Sequence, residues 1–260
     1  MSTEPIVLTA IVDGVATLTL NRPQARNALS MAMMTEIEAA LARLAADPSV
    51  KALVLAANGP AFCAGHDLKE MRSLESRDQI GAVFSQCSRM MKAIVRFPRP
   101  VIARVHAMAT AAGCQIVASC DLAVAADDAK FATPGVNIGL FCSTPMVALS
   151  RNVGRKQAME MLLTGHAVDA ATACAWGLVN RAVPAHDLDR EVAHFTGLIA
   201  SKSSHTLKVG KEAFYRQAEM GLDDAYDYAA QVMTENMMAR DAAEGIDAFL
   251  GKRNPVWQGC

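Results

Sequence analysis

The chain has 260 residues, 52% of them hydrophobic and 5% aromatic, enough for a substantial core in which helices outnumber strands. Its 25 Lys+Arg against 26 Asp+Glu leave a formal net charge of -1, and no basic run interleaved with aromatics occurs, so the electrostatic footprint of a nucleic-acid binder is excluded. The longest apolar stretch, Val105 to Cys120, carries His106 and Gln115 and is too short to span a bilayer.

Val15 to Leu20 alternates with the period of a strand, and Asn21-Arg22-Pro23 ends it because proline cannot continue a ladder. From Ser30 the positions Met31, Met34, Ile37, Leu41 and Leu44 mark one greasy helical face, capped by Ser30 and ending near Asp47-Pro48. Ala52 to Ala57 is a continuous apolar run closed by Asn58-Gly59-Pro60, the pattern of a buried strand followed by a turn. Ile80, Val83, Phe84, Cys87, Met90, Met91 and Ile94 form the clearest amphipathic stripe in the chain. Pro100 to Val105 and Leu122 to Ala126 are predicted strands, with a short helix from Gly113 to Cys120 between them. Beyond Thr144 the pattern turns helical at Lys156–Leu163, Ala170–Trp176, Leu188–Ser201 and in segments from Thr206 to Leu250, with Leu178–Val183 a late strand. The expectation is a mixed α/β body over 1–200 and a helical region over 201–260, with no low-complexity tract or linker between them.

Met1 to Val7 lacks the basic region and longer apolar run of a secretory leader, so a cytoplasmic location is expected. The seven cysteines form no CxxC pair and have no His partner at metal spacing; they are expected to be reduced packing residues, with no metal bound. No strand is followed by GxGxxG, which removes a dinucleotide-binding dehydrogenase.

Three loops carry small residues where a strand hands over to a helix, the place where free backbone N–H groups can face a ligand. They are Phe62-Cys63-Ala64-Gly65-His66-Asp67-Leu68, Ala109-Thr110-Ala111-Ala112-Gly113-Cys114-Gln115, and Thr133-Pro134-Gly135 running on to Phe141-Cys142-Ser143-Thr144. Singly each also reads as a packing motif or a turn.

Together, with Asn21-Arg22-Pro23, Asn27-Ala28-Leu29, Arg99-Pro100-Val101-Ile102-Ala103, Cys120-Asp121-Leu122 and Met159 to Gly165, they resemble the crotonase, or enoyl-CoA hydratase/isomerase, superfamily over nearly the whole chain. The resemblance implies a spiral of strand-strand-helix turns, a helical C-terminal trimerisation region, assembly as a trimer or dimer of trimers, and a setting in fatty-acyl metabolism. It implies that His66 and Ala112 supply two backbone N–H groups to a thioester oxygen, which gains charge as an enolate forms. Ala64, His66, Asp67, Leu68 and Lys69 would lie along the coenzyme A arm, with Lys252 near its phosphates; coenzyme A enters as part of the substrate and no cofactor is bound permanently.

One departure bears on the chemistry. Family hydratases use two glutamates, and the matching positions here are Gln115 and Gly135. Gln115 can orient a water but has no useful basicity, and Gly135 offers only backbone. Two-glutamate hydration is therefore expected to be absent or very slow. The alternatives are a substrate that generates its own enolate by losing CO2, a water or small anion held at Gly135 as in the naphthoyl-CoA synthase branch, chemistry or thioester hydrolysis through Cys142, Ser143 or His66, or a protein that binds the thioester without turnover.

Overall fold

The structure, a computed structural model, describes residues 4–260, so Met1, Ser2 and Thr3 of the leader reading lie outside the described residues. In chain order the elements are β1 (Val7–Val12), β2 (Val15–Leu20), α1 (Met31–Ala46), β3 (Ala52–Ala57), α2 (Leu68–Ser73), α3 (Arg77–Val95), β4 (Val101–Val105), β5 (Ala109–Thr110), α4 (Ala112–Ser119), β6 (Leu122–Ala126), β7 (Lys130–Ala132), α5 (Ser143–Leu149), α6 (Arg155–Thr164), β8 (Val168–Asp169), α7 (Ala170–Trp176), β9 (Arg181–Val183), α8 (Leu188–Ala200), α9 (Ser204–Gln217), α10 (Leu222–Met237) and α11 (Arg240–Leu250). A tight helical turn, Pro134–Ile138, precedes α5.

The main sheet has the order β1-β2-β3-β4-β6-β9, antiparallel only between β1 and β2, and a small sheet pairs β5, β7 and β8. Each parallel step needs a crossover, and α1, α3 and α4 supply three of them. Ser30 caps α1 by accepting the Met33 N–H at 3.2 Å. Ser76 and Gln79 cap α3 reciprocally. One face of the sheet buries Leu18, Leu53, Leu55 and Val101 against α1, α3 and α4, while a second, smaller core packs Val54, Ala56 and Val124 under Leu188 and Val192 of α8. All six residues of β3 are buried, as expected of a strand covered on both faces.

The structure adjusts several boundaries. The strand expected over Leu178–Val183 forms only at Arg181–Val183, because Leu178 and Val179 turn into the core. The helix expected from Gly113 begins at Ala112. The α3 stripe is buried from Val83 onward, but Ile80 stays exposed and Phe84 only half buried, which leaves the first turns of that helix open beside the His66 loop.

The helices beyond residue 200 add little to the core, since within α9, α10 and α11 only Asp241 and Ala248 are buried. Their attachment is polar. Asp121 accepts from the Val101 N–H and Lys211 Nζ at 2.6 Å each and from the Tyr215 hydroxyl at 2.9 Å. Leu222, Tyr226, Met233 and Met237 run as an exposed apolar stripe along α10, joined by Phe249 and Leu250 on α11.

Candidate active site

The segment after β3 changes partner in mid-course. Phe62 and Cys63 donate to the Met108 carbonyl and Cys63 accepts from the Thr110 N–H at 2.9 Å, tying this stretch to β5. Gly65, at φ +90, then turns the chain. Beyond it Leu29 donates to the Gly65 carbonyl at 2.7 Å and accepts from the Asp67 N–H at 3.1 Å. Backbone groups alternate sides along an extended chain, so the His66 N–H points away from Leu29.

Gly65 itself lies against the start of α4. Ala111 takes the strained pair φ 50, ψ -117, donates to the Ala132 carbonyl at 2.8 Å and accepts from the Gln115 N–H at 3.0 Å. Ala112 opens the helix, so its N–H has no carbonyl one turn back to donate to. A Cβ placed on Gly65 would lie 3.3 Å from the Ala112 nitrogen and 3.1 Å from the Thr110 carbonyl oxygen. The two loops thus meet at Gly65 and the Ala112 nitrogen, with the N-terminal dipole of a wholly buried helix behind the latter.

A rigid frame holds this corner. Asn27 is fully buried, accepts the Arg22 N–H at 2.8 Å, and donates to the carbonyls of Asn58 at 2.8 Å and Ala61 at 2.9 Å. Arg22 reaches on to Asp67 at 2.8 Å. Asp67 caps α2 through the N–H groups of Lys69 and Glu70. Burial pushes the Asp67 carboxyl up, but the Arg22 guanidinium and the capped N–H groups outweigh it and hold the carboxyl below the ordinary carboxylate range. Asp67 therefore works as a cap and ion-pair partner. Leu68 and Lys69 are exposed beside it, and Ala64 is half buried with its N–H on the Arg26 carbonyl.

The third loop closes on itself. Gly135 accepts from the Leu140 N–H at 2.9 Å, and a Cβ placed on Gly135 would come within 2.6 Å of the Leu140 carbonyl oxygen and 2.9 Å of Cys142 Sγ. Cys142 also lies near Cys114 of α4, which brings this loop to the helix that carries Gln115. Burial raises the Cys142 thiol above its ordinary value, with the Gly135 backbone opposing, and the Cys114 thiol is pushed up to about 12. Both stay protonated, and a protonated thiol is a poor nucleophile. Ser143 is exposed at the start of α5, its hydroxyl 3.4 Å from the Phe141 carbonyl. Lys252 sits in the exposed turn after α11 with φ +51 and makes no side-chain hydrogen bond or ion pair among the described residues.

Two side chains in the cluster are conspicuously unsatisfied. Gln115 is 5% exposed with its Oε1 buried and unpartnered, and the buried ring nitrogens of His66 make no well-formed hydrogen bond, although the Leu29 backbone lies close enough to act on the ring. The His66 ring packs edge-on against Phe84, with centroids 5.4 Å apart. Thr133, fully buried at the head of the third loop, has an unpartnered hydroxyl as well. The frame roles of Arg22 and Asn27, the wall role of Phe84 and the orphaned Thr133 carried no separate signal in the sequence; only the Asn21-Arg22-Pro23 and Asn27-Ala28-Leu29 phrases marked the region.

Burial, opposed by the Leu29 backbone, holds the His66 pKa below its ordinary value of 6.5. As pH falls past that value the unfolded chain takes up a proton that the folded chain refuses, so the unfolded state gains and stability declines. His66→Leu is expected to flatten this decline between about pH 7 and pH 5. Denaturant titrations across that range check it; an unchanged slope would assign the effect to other groups.

An open cleft of about 400 Å³ lies on the opposite face of the main sheet, lined by Thr17, Thr19, Asn58, Arg104, Asp189 and Thr196 among others; it shares only Asn58 with the frame of this cluster. Among the described residues no group of His, Cys, Asp and Glu is arranged to hold a metal, and no helix is long and apolar enough to cross a membrane.

Comparison with known proteins agrees with this architecture. The enoyl-CoA hydratase/isomerase family model matches residues 10–260. The human enoyl-CoA hydratase domain-containing protein 3, mitochondrial, is 47% identical over 246 residues, covering 95% of this chain and 81% of that protein. A crystal structure of an enoyl-CoA hydratase from Mycobacterium smegmatis superposes with a TM-score of 0.96 at 56% identity, covering 98% of this chain and 99% of that one. The crystal structure of the human domain-containing protein 3 gives a TM-score of 0.95 at 45% identity, covering 97% of this chain and all of that one. The chain belongs to the enoyl-CoA hydratase/isomerase family of the crotonase superfamily.

Proposed function

We propose that this protein binds an acyl-CoA thioester with its carbonyl oxygen between the His66 and Ala112 N–H groups, and that it stabilises enolate character there without a carboxylate base. What supports the reading is the meeting of the two loops at Gly65 and Ala112, with His66 next in the chain and the Ala112 N–H without a helical acceptor. Donors fixed in advance strengthen as the oxygen gains charge and cost no reorganisation at that moment. Lys69, and Lys252 less directly, are the cations offered to the coenzyme A phosphates. Gln115 and Gly135 stand where family hydratases place glutamates, so hydration is expected to be slow or undetectable; a positioned base usually contributes about a hundred- to ten-thousand-fold.

Turnover and binding of crotonyl-, 3-hydroxybutanoyl-, malonyl- and butanoyl-CoA, followed by mass spectrometry and calorimetry, test this. Binding with no rapid hydration of crotonyl-CoA is the expected result. Absence of binding to every thioester, or rapid crotonyl-CoA hydration, would overturn it. A second reading, binding without turnover, is favoured by the make-up of the cluster: Gln115 has no useful basicity, and burial lowers the His66 pKa, which weakens that imidazole as a base, and raises the Cys142 thiol. In the same assay it appears as binding with no product at all.

The lost carboxylates do not return by simple substitution. Gln115→Glu exchanges groups of one shape, but Gly135→Glu places its Cβ against the Leu140 carbonyl and Cys142 sulfur. Overpacking of this kind costs about 1–3 kcal/mol. The Gly135→Glu variant is expected to lose that much stability in denaturant titration, and the double variant to gain little hydration. Wild-type stability with restored hydration would show that the loop yields freely.

The exposed stripe on α10 and α11 supports assembly with further copies of the chain as a trimer or dimer of trimers. A monomeric mass in light scattering would contradict that. The human relative is named mitochondrial. A cytoplasmic location for this chain is a proposal that fractionation decides.

A further inference from the structure

Backbone strain gathers at one contact. Among the described residues five non-glycine residues take left-handed φ, and three of them, Arg26, Asn27 and Ala111, lie against the segment that carries His66. Such conformations persist only where the surroundings over-determine them, and they concentrate at ligand sites. Asparagine enters this region more readily than most residues; arginine does not. The left-handed pair at 26 and 27 turns the chain out of the tight helical turn Pro23–Ala25, and residues 26–29 then run along the segment after β3. Arg26 accepts the Ala64 N–H at 3.0 Å, and Leu29 holds the residues on both sides of His66, donating to the Gly65 carbonyl at 2.7 Å and accepting from the Asp67 N–H at 3.1 Å. Asn27 adds bonds that the backbone alone cannot make. Its carbonyl accepts the Cys63 thiol at 3.2 Å, and its side-chain nitrogen donates to the Asn58 and Ala61 carbonyls at 2.8 and 2.9 Å, which closes the turn leading into the segment. The other neighbour is the start of α4: a Cβ on Gly65 would lie 2.9 Å from the Ala111 Cβ and 3.3 Å from the Ala112 nitrogen. The Cys63–Asp67 segment is therefore held between the 26–29 strap and α4.

We propose that Asn27 is a positioning residue: by gripping this segment it sets the separation of the His66 and Ala112 amides, and with it how strongly the site polarises a thioester carbonyl rather than how tightly it holds coenzyme A. This rests on the thioester-binding reading above. Asn27 is fully buried, so it acts on a ligand only through the segment it holds. Donors stabilise developing charge in proportion to how well they are fixed beforehand, and a misplacement of about 1 Å caused from a distance can cost about a hundredfold in rate. The side chain is suited to the task. Its Oδ1 accepts the Arg22 N–H at 2.8 Å while both hydrogens of Nδ2 are used on separate carbonyls. Aspartate offers no donor and serine only one, so neither would span the two carbonyls.

The test reads the carbonyl itself: infrared difference spectra of butanoyl-CoA, isotopically labelled at the thioester carbon, bound to the full-length protein and to Asn27→Gly and Cys63→Ala. Calorimetric affinities for butanoyl-CoA and free coenzyme A, and melting curves, accompany each. Glycine keeps the left-handed φ at position 27 without strain and removes only the side-chain bonds. Cys63→Ala takes away one bond of the strap from the segment's side, and carries the test if the glycine variant does not fold. In the wild type the thioester band is expected to fall in frequency on binding. Asn27→Gly returns it towards its free position and weakens butanoyl-CoA about tenfold, with coenzyme A held within about twofold; Cys63→Ala shifts the band in the same direction by less. A lowered melting temperature with the band and the acyl preference unchanged would make Asn27 a stability residue alone and overturn the proposal, as would an equal loss of both ligands in a folded variant. Butanoyl-CoA that fails to bind the wild type, or binds with its band unmoved, overturns the thioester reading itself, and this inference with it.

Discussion

Gly113→Ala is expected to destroy the candidate site and to cost about 3 kcal/mol or more of stability. A Cβ at this position would lie 2.1 Å from the Cys63 carbonyl oxygen and 2.8 Å from both the Cys63 carbonyl carbon and its Cβ. These atoms cannot step aside cheaply, because that carbonyl accepts the Thr110 N–H at 2.9 Å and Cys63 is fully buried. Relief must come from moving the N-terminal turn of α4 away from the Cys63–His66 segment. That motion separates the His66 and Ala112 amides. Stability and acyl-CoA binding should therefore fall together, read by denaturant unfolding and calorimetry. Gly81→Ala is the matched control: it lies within α3, with nothing inside 4 Å of the new methyl group, and should stabilise by about 0.4–1 kcal/mol by restricting the unfolded chain. A Gly113→Ala protein with wild-type stability and binding would mean that the contact between α4 and this segment does not position the site.

The same comparison shows where sequence ceases to be informative. Gly113 and Gly135 are alike in sequence, each a small residue in a loop that meets a helix. One is required by a backbone approach from Cys63; the other faces a loop that closes on the place a longer side chain would take. Both facts depend on residues distant in the chain. Elements whose cause is local were readable: the alternation of Val15–Leu20, the unbroken apolar run of Ala52–Ala57, and the Ser30 cap of α1. β1 was not, because it is an edge strand whose residues are mostly exposed and carry no clear alternation. β5 and β8, two residues each, exist only through partners far along the chain. In the site, the three loops and the replaced glutamates were legible as types of residue. The capping and ion-pair role of Asp67, the Asn27 hub and the orphaned Gln115 and His66 atoms were not, since hydrogen-bond satisfaction is a property of the assembled fold.

Lys211→Met is expected to release the C-terminal helices from the body at a cost of about 3 kcal/mol, towards the lower end for breaking a buried pair. Lys211 is 8% exposed and Asp121 17%, at 2.6 Å. The ammonium also donates to the Arg99 carbonyl at 3.0 Å, so α9 is fastened to the start of β4 and of β6 by one side chain. Burial lowers the Lys211 pKa and Asp121 opposes that shift, which is the signature of a charge kept inside by its partner. Replacing the lysine by an apolar residue of similar length leaves the packing and removes the cation. The Asp121 carboxylate then faces only the Val101 N–H and the Tyr215 hydroxyl. In a chain of this size the loss corresponds to a fall in melting temperature of about 6–12 °C. Because α10 and α11 carry the exposed apolar stripe, oligomer mass should drop in the same variant if assembly depends on docked helices. Asp121→Asn placed on Lys211→Met removes the stranded charge and should recover part of the stability. If Lys211→Met melts with the wild type, the helices are held by their apolar contacts with other copies instead, and the buried pair contributes nothing net.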